Sequence, residues 1–526
     1  MKEKDIFKLV RYGFAIVQSI ITLLFLYYLA KLDVLPQKYF FLAVGVLVVL
    51  CVLNVVLQFK KIPGIIMLVI GIIISIGLGI ACIYIAKTTD VMNKTAGADE
   101  QIDKMLVYVL ADDEAKSLGD AADYTYGILS SKGREATDKT IEEINKTINK
   151  EIAIKEYDDF FSMIDGLYNG DVKAIILNEA YIDVIIETEG YEDFKDKVKE
   201  LLMTEVKSKV EWYEQDDDSS IKLNSDVFTL YISGIDTYGS VAKTSRSDVN
   251  IIAVVNTKTK QILLVSTPRD YYVPLSISNG VKDKLTHAGL YGINCSKDTL
   301  SMIYDLDIQY YFRLNFDGFI KIIDKLGGVT VHSDYAFTTR SGHYNIQVGD
   351  NKLNGKEALA FARERYALAD GDRQRGRDQM EVIKAVINEM ASSKLLYNYT
   401  DIMDAISDCF QTSMPKDMIQ SLVKMQINDM KKWNIVSCSA DGTGTRSSTY
   451  SIPQRDNLWV MIPDESTIEH AKELIQQVID GKIISEQISV EKGKGKIKNE
   501  TGEKKKFTER IIRLCIEGKH QEYSGI

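Results

Sequence analysis

Three nearly continuous apolar runs occupy the first ninety residues, at 14–30, 39–58 and 65–86. Each approaches the about 20 residues that a helix needs to cross the hydrocarbon core of a bilayer, so they predict three transmembrane helices. A cleaved signal peptide does not fit, because two further runs follow the first and no small-residue cleavage site separates them. Lys2, Lys4, Lys8 and Arg11 precede the first run, and Lys60 and Lys61 lie between the second and third. By the positive-inside rule both of these flanks face the cytoplasm. Everything after Lys87 is then expected outside the cell membrane, although Lys31 and Lys38 make the first outer loop basic too. The formal net charge of -10 over 526 residues argues against a general nucleic-acid binder, which would carry a basic excess.

Beyond the membrane region (1–87) the chain divides into three parts. Residues 88–218 are polar and acidic, with helical periodicity at 140–150 and 191–210 and β-like runs at 172–177 and 181–187. They read as a small α/β accessory domain, and the acidic cluster 214–220 reads as a linker. Residues 221–483 carry a denser pattern, with strands expected at 228–233, 249–256, 261–267 and 309–315. Helices are expected at 296–304, 316–326, 354–366 and 372–392, the second stopped by Gly327 and Gly328. The fold class is therefore α/β, three transmembrane helices followed by two α/β domains, the larger with a central sheet flanked by helices. Residues 484–526 form a Lys-rich tail, read as solvated, with contact to anionic wall polymer or lipid as the second reading. Cys51 and Cys82 lie in the apolar runs. Cys295, Cys409, Cys438 and Cys515 match no metal spacing, and a Cys409–Cys438 disulfide and free thiols both stay open.

Chemistry concentrates in the run AFARERYALADGDRQRGRDQM. Arg363, Arg365, Arg373, Arg375 and Arg377 fall there, whereas Arg134 is the sole arginine between Ala15 and Ser245. A guanidinium is a planar fork that meets two phosphate oxygens at once, whereas lysine offers a point charge. The local preference for arginine predicts a phosphate held in fixed geometry. On the helix from Asp372, the apolar stripe Val382, Ile383, Val386, Ile387 and Met390 extends backwards to Gln379 and Arg375. Those two polar groups facing inwards need a partner: an anion, or for Arg375 a structural ion pair with a core carboxylate. Arg373 and Arg377 fall on another face and read as solvated. Earlier, Asp236 follows one strand and Asp248 opens the next, which puts both at one sheet rim as hard oxygen ligands for Mg²⁺ or as ordinary turn formers.

The stretches SRSDVNIIAVVNTKTKQILLVSTPRD, KDKLTHA, FDGFIKIIDKLGGVTV and ALAFARERYALADGDRQRGRDQ, in this order over 227–393, resemble the LytR-CpsA-Psr proteins of Gram-positive bacteria. The three apolar runs before an accessory domain resemble the capsule-associated members. The resemblance implies a membrane-anchored phosphotransferase that moves a glycopolymer (capsular polysaccharide or a teichoic acid) from polyprenyl pyrophosphate to a muramic acid hydroxyl of peptidoglycan, with Mg²⁺. By motif position it implies that Asp236 and Asp248 hold the metal. Arg246, Arg269, Arg363, Arg365, Arg375 and Gln379 would contact the phosphates. Asp378 departs from the pattern and is expected to weaken anion binding locally.

Asp270 is a candidate proton acceptor, and no histidine stands out as a base. A groove near Phe316, Phe319 and Ile320 is a candidate for the lipid, with core packing as the plain alternative. The main rival is a non-catalytic regulator that binds polyprenyl phosphates. A DNA-binding regulator lacks a helix-turn-helix pattern, and a transporter lacks charges within the spans.

Overall fold

The computed structural model describes residues 3–97, 100–130, 133–210, 226–235, 240–392, 410–453 and 457–485. The expected linker, Asp236, Cys409, Cys515 and nearly all of the Lys-rich tail lie outside the described residues.

Helices α1 (Glu3–Leu32), α2 (Gln37–Leu57) and α3 (Lys61–Thr95) are long and apolar enough to cross a membrane. Inside the bundle runs a polar ladder that hydropathy alone hides. Arg11 donates to the carbonyl oxygens of Gln58 at 2.9 Å and Lys61 at 3.0 Å, Gln58 donates to Asn54 at 2.7 Å, and Asn54 meets Gln18. Gly64 and Gly71 make room for it, since a Cβ there would lie 2.7 Å from Arg11 and 2.6 Å from Gln18. Small residues and interhelical hydrogen bonds supply the association that apolar contact cannot drive in lipid. The helix α3 runs nine residues past the expected apolar end.

The accessory domain contains β1 (Glu100–Leu110), β2 (Thr125–Leu129), α4 (Arg134–Ile148), β3 (Ala153–Tyr157), α5 (Phe160–Tyr168), β4 (Ala174–Asn178), α6 (Ile182–Ile186), α7 (Phe194–Lys197) and β5 (Val198–Lys209). Its sheet has the order β3-β2-β4-β1-β5, with an apolar cluster on each face. Two expectations fail here. Residues 198–209 form a strand rather than a helix, because they pair antiparallel with the whole length of β1. Residues 182–186 form a short helix rather than a strand; the turn before it begins where the Asn178 side chain accepts from the Ala180 N–H.

The larger domain follows with β6 (Val227–Ile235), β7 (Ser247–Asn256), β8 (Gln261–Ser266), β9 (Tyr272–Pro274), β10 (Lys282–Lys284), α8 (Ile293–Tyr304), β11 (Tyr310–Asn315) and α9 (Phe316–Lys325). Then come β12 (Val329–Ser333), β13 (Phe337–Thr338), β14 (Asn345–Ile346), β15 (Gly349–Leu353), α10 (Gly355–Arg363) and α11 (Asp372–Met390). The chain closes with β16 (Phe410–Thr412), α12 (Lys416–Asp429), β17 (Asn434–Ser439), β18 (Gly442–Ser447), β19 (Leu458–Pro463) and α13 (Glu465–Ile479).

The central sheet has the order β16-β11-β6-β7-β8-β17. Because β7 and β8 are apolar on both faces, helices cover both: α8 and α13 on one, α11 and α12 on the other. Gly327 and Gly328 stop α9 with φ of 80° and 85°, as expected. The helix α10 ends at Arg363, short of the expected 366, because the Glu364 carboxylate binds the N–H groups of Arg365, Tyr366 and Ala367. Cys438 is a buried free thiol, and Cys409, its considered partner, lies outside the described residues. The helix α12 rests on the C-terminal ends of α1 and α3: Gln420 donates to the Leu32 carbonyl at 2.7 Å, Lys424 pairs with Asp33 at 2.7 Å and Lys416 reaches Asn93 at 2.8 Å.

Candidate functional site

The site lies at one rim of the central sheet, where β6 ends and β7 begins. Ile235 pairs with Ser247 across a register shift at Gly234, whose absent side chain lets Val249 approach; a Cβ would meet it at 2.7 Å. Such a bulge re-aims the strand end. Asp248 therefore projects from the start of β7 into a cluster of guanidiniums. Its Oδ2 accepts from Arg269 Nη1 at 2.6 Å and its Oδ1 from Thr286 Oγ1 at 3.2 Å. Burial pushes this carboxyl up, but Arg269, Arg375 and Arg246 outweigh it and hold the group below the usual carboxylate range.

Arg269 stands just after β8. Burial works against its charge, yet Asp248, Asp270, Asp372 and Glu187 together raise it. Its Nε is buried without a hydrogen-bond acceptor, 3.8 Å from Asp270 Oδ2. This leaves one donor of the guanidinium free to take an acceptor. Arg375, in the first turn of α11, is 7% exposed. It pairs with Asp372 at 2.6 Å, and burial depresses its pKa in spite of Asp372 and Asp248 nearby. Arg365 approaches the same Asp372 oxygen at 3.6 Å.

Arg246, Arg269, Arg365 and Arg375 thus share one electrostatic neighbourhood around Asp248 and Asp372. Arg246 enters it already occupied. Glu187, from the accessory domain, accepts from its Nη1 at 2.6 Å and Nη2 at 2.9 Å. Partial burial raises the Glu187 carboxyl, but Arg246 and then Arg269 bring it below its ordinary value.

Other expected members stand apart. Arg363 is exposed and stacks over the Phe316 ring at 4.2 Å. Gln379 donates to the Ala362 carbonyl at 3.3 Å, tying α11 to α10. Arg373 and Arg377, expected as solvated, are paired: Arg373 with Asp441 at 2.6 Å and the Gly442 carbonyl at 2.7 Å, Arg377 with Asp370 and Gln374. Asp378 lies among Gln374, Arg377, Glu381 and Asp334, where burial pushes its carboxyl up to about 7. Among the described residues no hydrogen bond or ion pair joins it to Arg246, Arg269, Arg365 or Arg375. His287 is committed to the fold, its Nδ1 2.7 Å from the buried Asp283, whose other oxygen accepts from Ser451.

Among the described residues no three His, Cys, Asp or Glu side chains converge as a metal site. The donor chemistry nonetheless suits a hard cation that keeps waters and phosphate ligands, because the partly exposed Asp248 carboxyl is held below the usual carboxylate range. Glu187, Asp372 and Thr286 were not expected from the sequence. Asp372 was findable from its three-residue spacing to Arg375, which places both on one helix face.

The larger α/β domain thus gathers arginines around Asp248 and Asp372 at one sheet rim, in a chain that carries three helices long and apolar enough to cross a membrane. Residues 193–474 match the LytR_cpsA_psr family, and the chain belongs to that family. It is similar to the polyisoprenyl-teichoic acid–peptidoglycan teichoic acid transferase TagU of Enterococcus faecalis, 32% identical over 40% of this chain and 70% of that one. The protein of the same name from Oceanobacillus iheyensis is 37% identical over 34% of this chain and 57% of its own length. The crystal structure of TagU from B. subtilis is 28% identical, covers 50% of this chain and 100% of its own, and superposes with a TM-score of 0.39.

Proposed function

We propose that this chain is a membrane-anchored phosphotransferase that moves a glycopolymer, a capsular polysaccharide or a teichoic acid, from polyprenyl pyrophosphate to peptidoglycan on the outer face of the cell membrane. The relatives' names supply the reaction class. The observation that carries the reading for this chain is the Arg269–Asp248 pair at 2.6 Å, with Arg375 and Arg246 close enough to act on the same partly buried carboxylate.

In the reaction the acceptor sugar hydroxyl attacks the phosphorus next to the glycopolymer. The bond between that phosphorus and the bridging oxygen breaks, polyprenyl phosphate leaves, and the hydroxyl proton passes to a carboxylate or water. Negative charge grows on the leaving phosphate and the equatorial oxygens. Arg269 and Arg375, fixed by Asp248 and Asp372, are aimed where that charge develops, and preorganised donors of this kind usually contribute most to such catalysis. Asp248, with Asp236 as the expected second ligand, would hold Mg²⁺, which when bound supplies further charge neutralisation to the diphosphate.

Asp248→Ala tests this directly. Transfer from a polyprenyl-pyrophosphate-linked glycan, assayed with Mg²⁺, is expected to fall by about 100-fold or more. Transfer that survives at the parental rate sinks the enzyme reading and favours a non-catalytic regulator. Labelling of a cysteine introduced at Lys87 checks the orientation, with reaction from the outer face expected.

A further inference from the structure

Arg246 belongs to the cluster proposed to grip the diphosphate, yet both ends of its fork are engaged by a carboxylate from the other domain. Glu187 directly follows α6 and meets Nη1 and Nη2 at 2.6 and 2.9 Å. This two-bond geometry is the one a pair of phosphate oxygens takes on a guanidinium. The partners differ in freedom: the Arg246 side chain is 13% exposed and that of Glu187 56%. Glu187 can swing into solvent while Arg246 stays walled in.

The domains around this pair are joined independently of it. The Ile102 N–H donates to the Ala242 carbonyl and the Thr244 N–H to the Ile102 carbonyl, each at 2.9 Å, and Lys243 pairs with Glu179. Leu290 and Ile452 of the larger domain are buried within an apolar core of the accessory domain. The loop that leads into Arg246 is therefore pinned to β1, and breaking the Glu187–Arg246 pair needs movement of one side chain only.

We propose that Glu187 sets the affinity and selectivity of the phosphate site, as a tethered counter-anion that occupies the Arg246 fork until a ligand bearing two adjacent phosphates displaces it. This rests on the diphosphate reading above. A carboxylate tethered beside the fork competes at high effective concentration, so weak monoanions do not replace it. A diphosphate brings more charge and simultaneous contacts with Arg269 and Arg375, and does. In the free protein the same carboxylate offsets the cost of keeping a guanidinium buried among others of like sign.

The test uses the full-length chain in detergent micelles with Mg²⁺ and geranylgeranyl pyrophosphate as probe, titrated calorimetrically. Glu187→Gln keeps the shape and removes the charge, and Glu187→Ala serves as an independent second variant, each checked for a cooperative thermal unfolding transition well above the titration temperature. Both are expected to bind the probe about five-fold more tightly than the parent at low ionic strength, a gain that shrinks as salt screens the pair. Unchanged or weaker binding in the folded variants overturns the counter-anion role and leaves the diphosphate reading standing. Binding by neither parent nor variants overturns both.

Discussion

The accessory sheet and the central sheet are built alike, each mixed in direction with an apolar cluster on either face. Their charged residues behave differently. Around the accessory sheet, ions pair with one another near solvent: Arg134 with Asp138 and Glu156, Lys139 with Glu135, Lys155 with Asp171, every side chain more than a third exposed. At the rim of the central sheet, Arg375 is buried, the Asp248 and Arg269 side chains are each less than a fifth exposed, and the Nε of Arg269 has no acceptor. Exposed pairs contribute little and ask for nothing more, whereas buried charges left incompletely matched are costly unless a ligand completes them. The contrast marks the rim of the central sheet as the candidate site.

The largest expected effect comes from damaging the rim while keeping its charge. Arg375→Lys retains a cation but loses the fork, and transfer is expected to fall by about 100-fold; near-parental turnover would remove the two-bond role of that residue. A smaller effect follows from Asp378, whose carboxyl is pushed up to about 7 in the folded chain by burial. A carboxyl with a raised folded pKa binds its proton more tightly when folded. Its contribution is therefore most favourable below the ordinary carboxylate pKa and is lost as pH rises towards 7. Asp378→Asn is accordingly expected to raise the melting temperature at pH 8 by about 2–4 °C, with no gain at pH 4, as scanning calorimetry can check. The smallest effect belongs to the accessory surface. Arg134→Ala is expected to change stability by about 1 kcal/mol or less and leave transfer unchanged, and a large loss of activity would erase the distinction between the two sheets.

How much of this was readable beforehand depends on the range of the interactions involved. The strands β6, β7 and β8 announced themselves because both faces are buried, which demands continuous apolar runs. β5 did not: as an edge strand it carries Lys199, Glu200, Glu205 and Lys207, charges that blunt an edge but favour helix in isolation. Only its partner β1, about a hundred residues earlier, resolves the ambiguity. Within the site, the inward turn of Arg375 was legible because α11 has a periodic apolar stripe to extend. Arg246 and Arg269 came from family resemblance, since neither lies in a periodic segment. Glu187 left no local signal at all: it stands 59 residues from Arg246 in another domain. The polar ladder from Arg11 through Asn54 was hidden by the hydropathy of its neighbours, which averages over the few side chains that matter.

The most direct measurement is an experimental structure of the full-length chain with geranylgeranyl pyrophosphate and Mg²⁺. The diphosphate is expected between Arg269 and Arg375, its oxygens within hydrogen-bond distance of the now unpaired Arg269 Nε and its metal on Asp248. A diphosphate bound elsewhere, with Arg269 Nε still lacking an acceptor, would contradict the account.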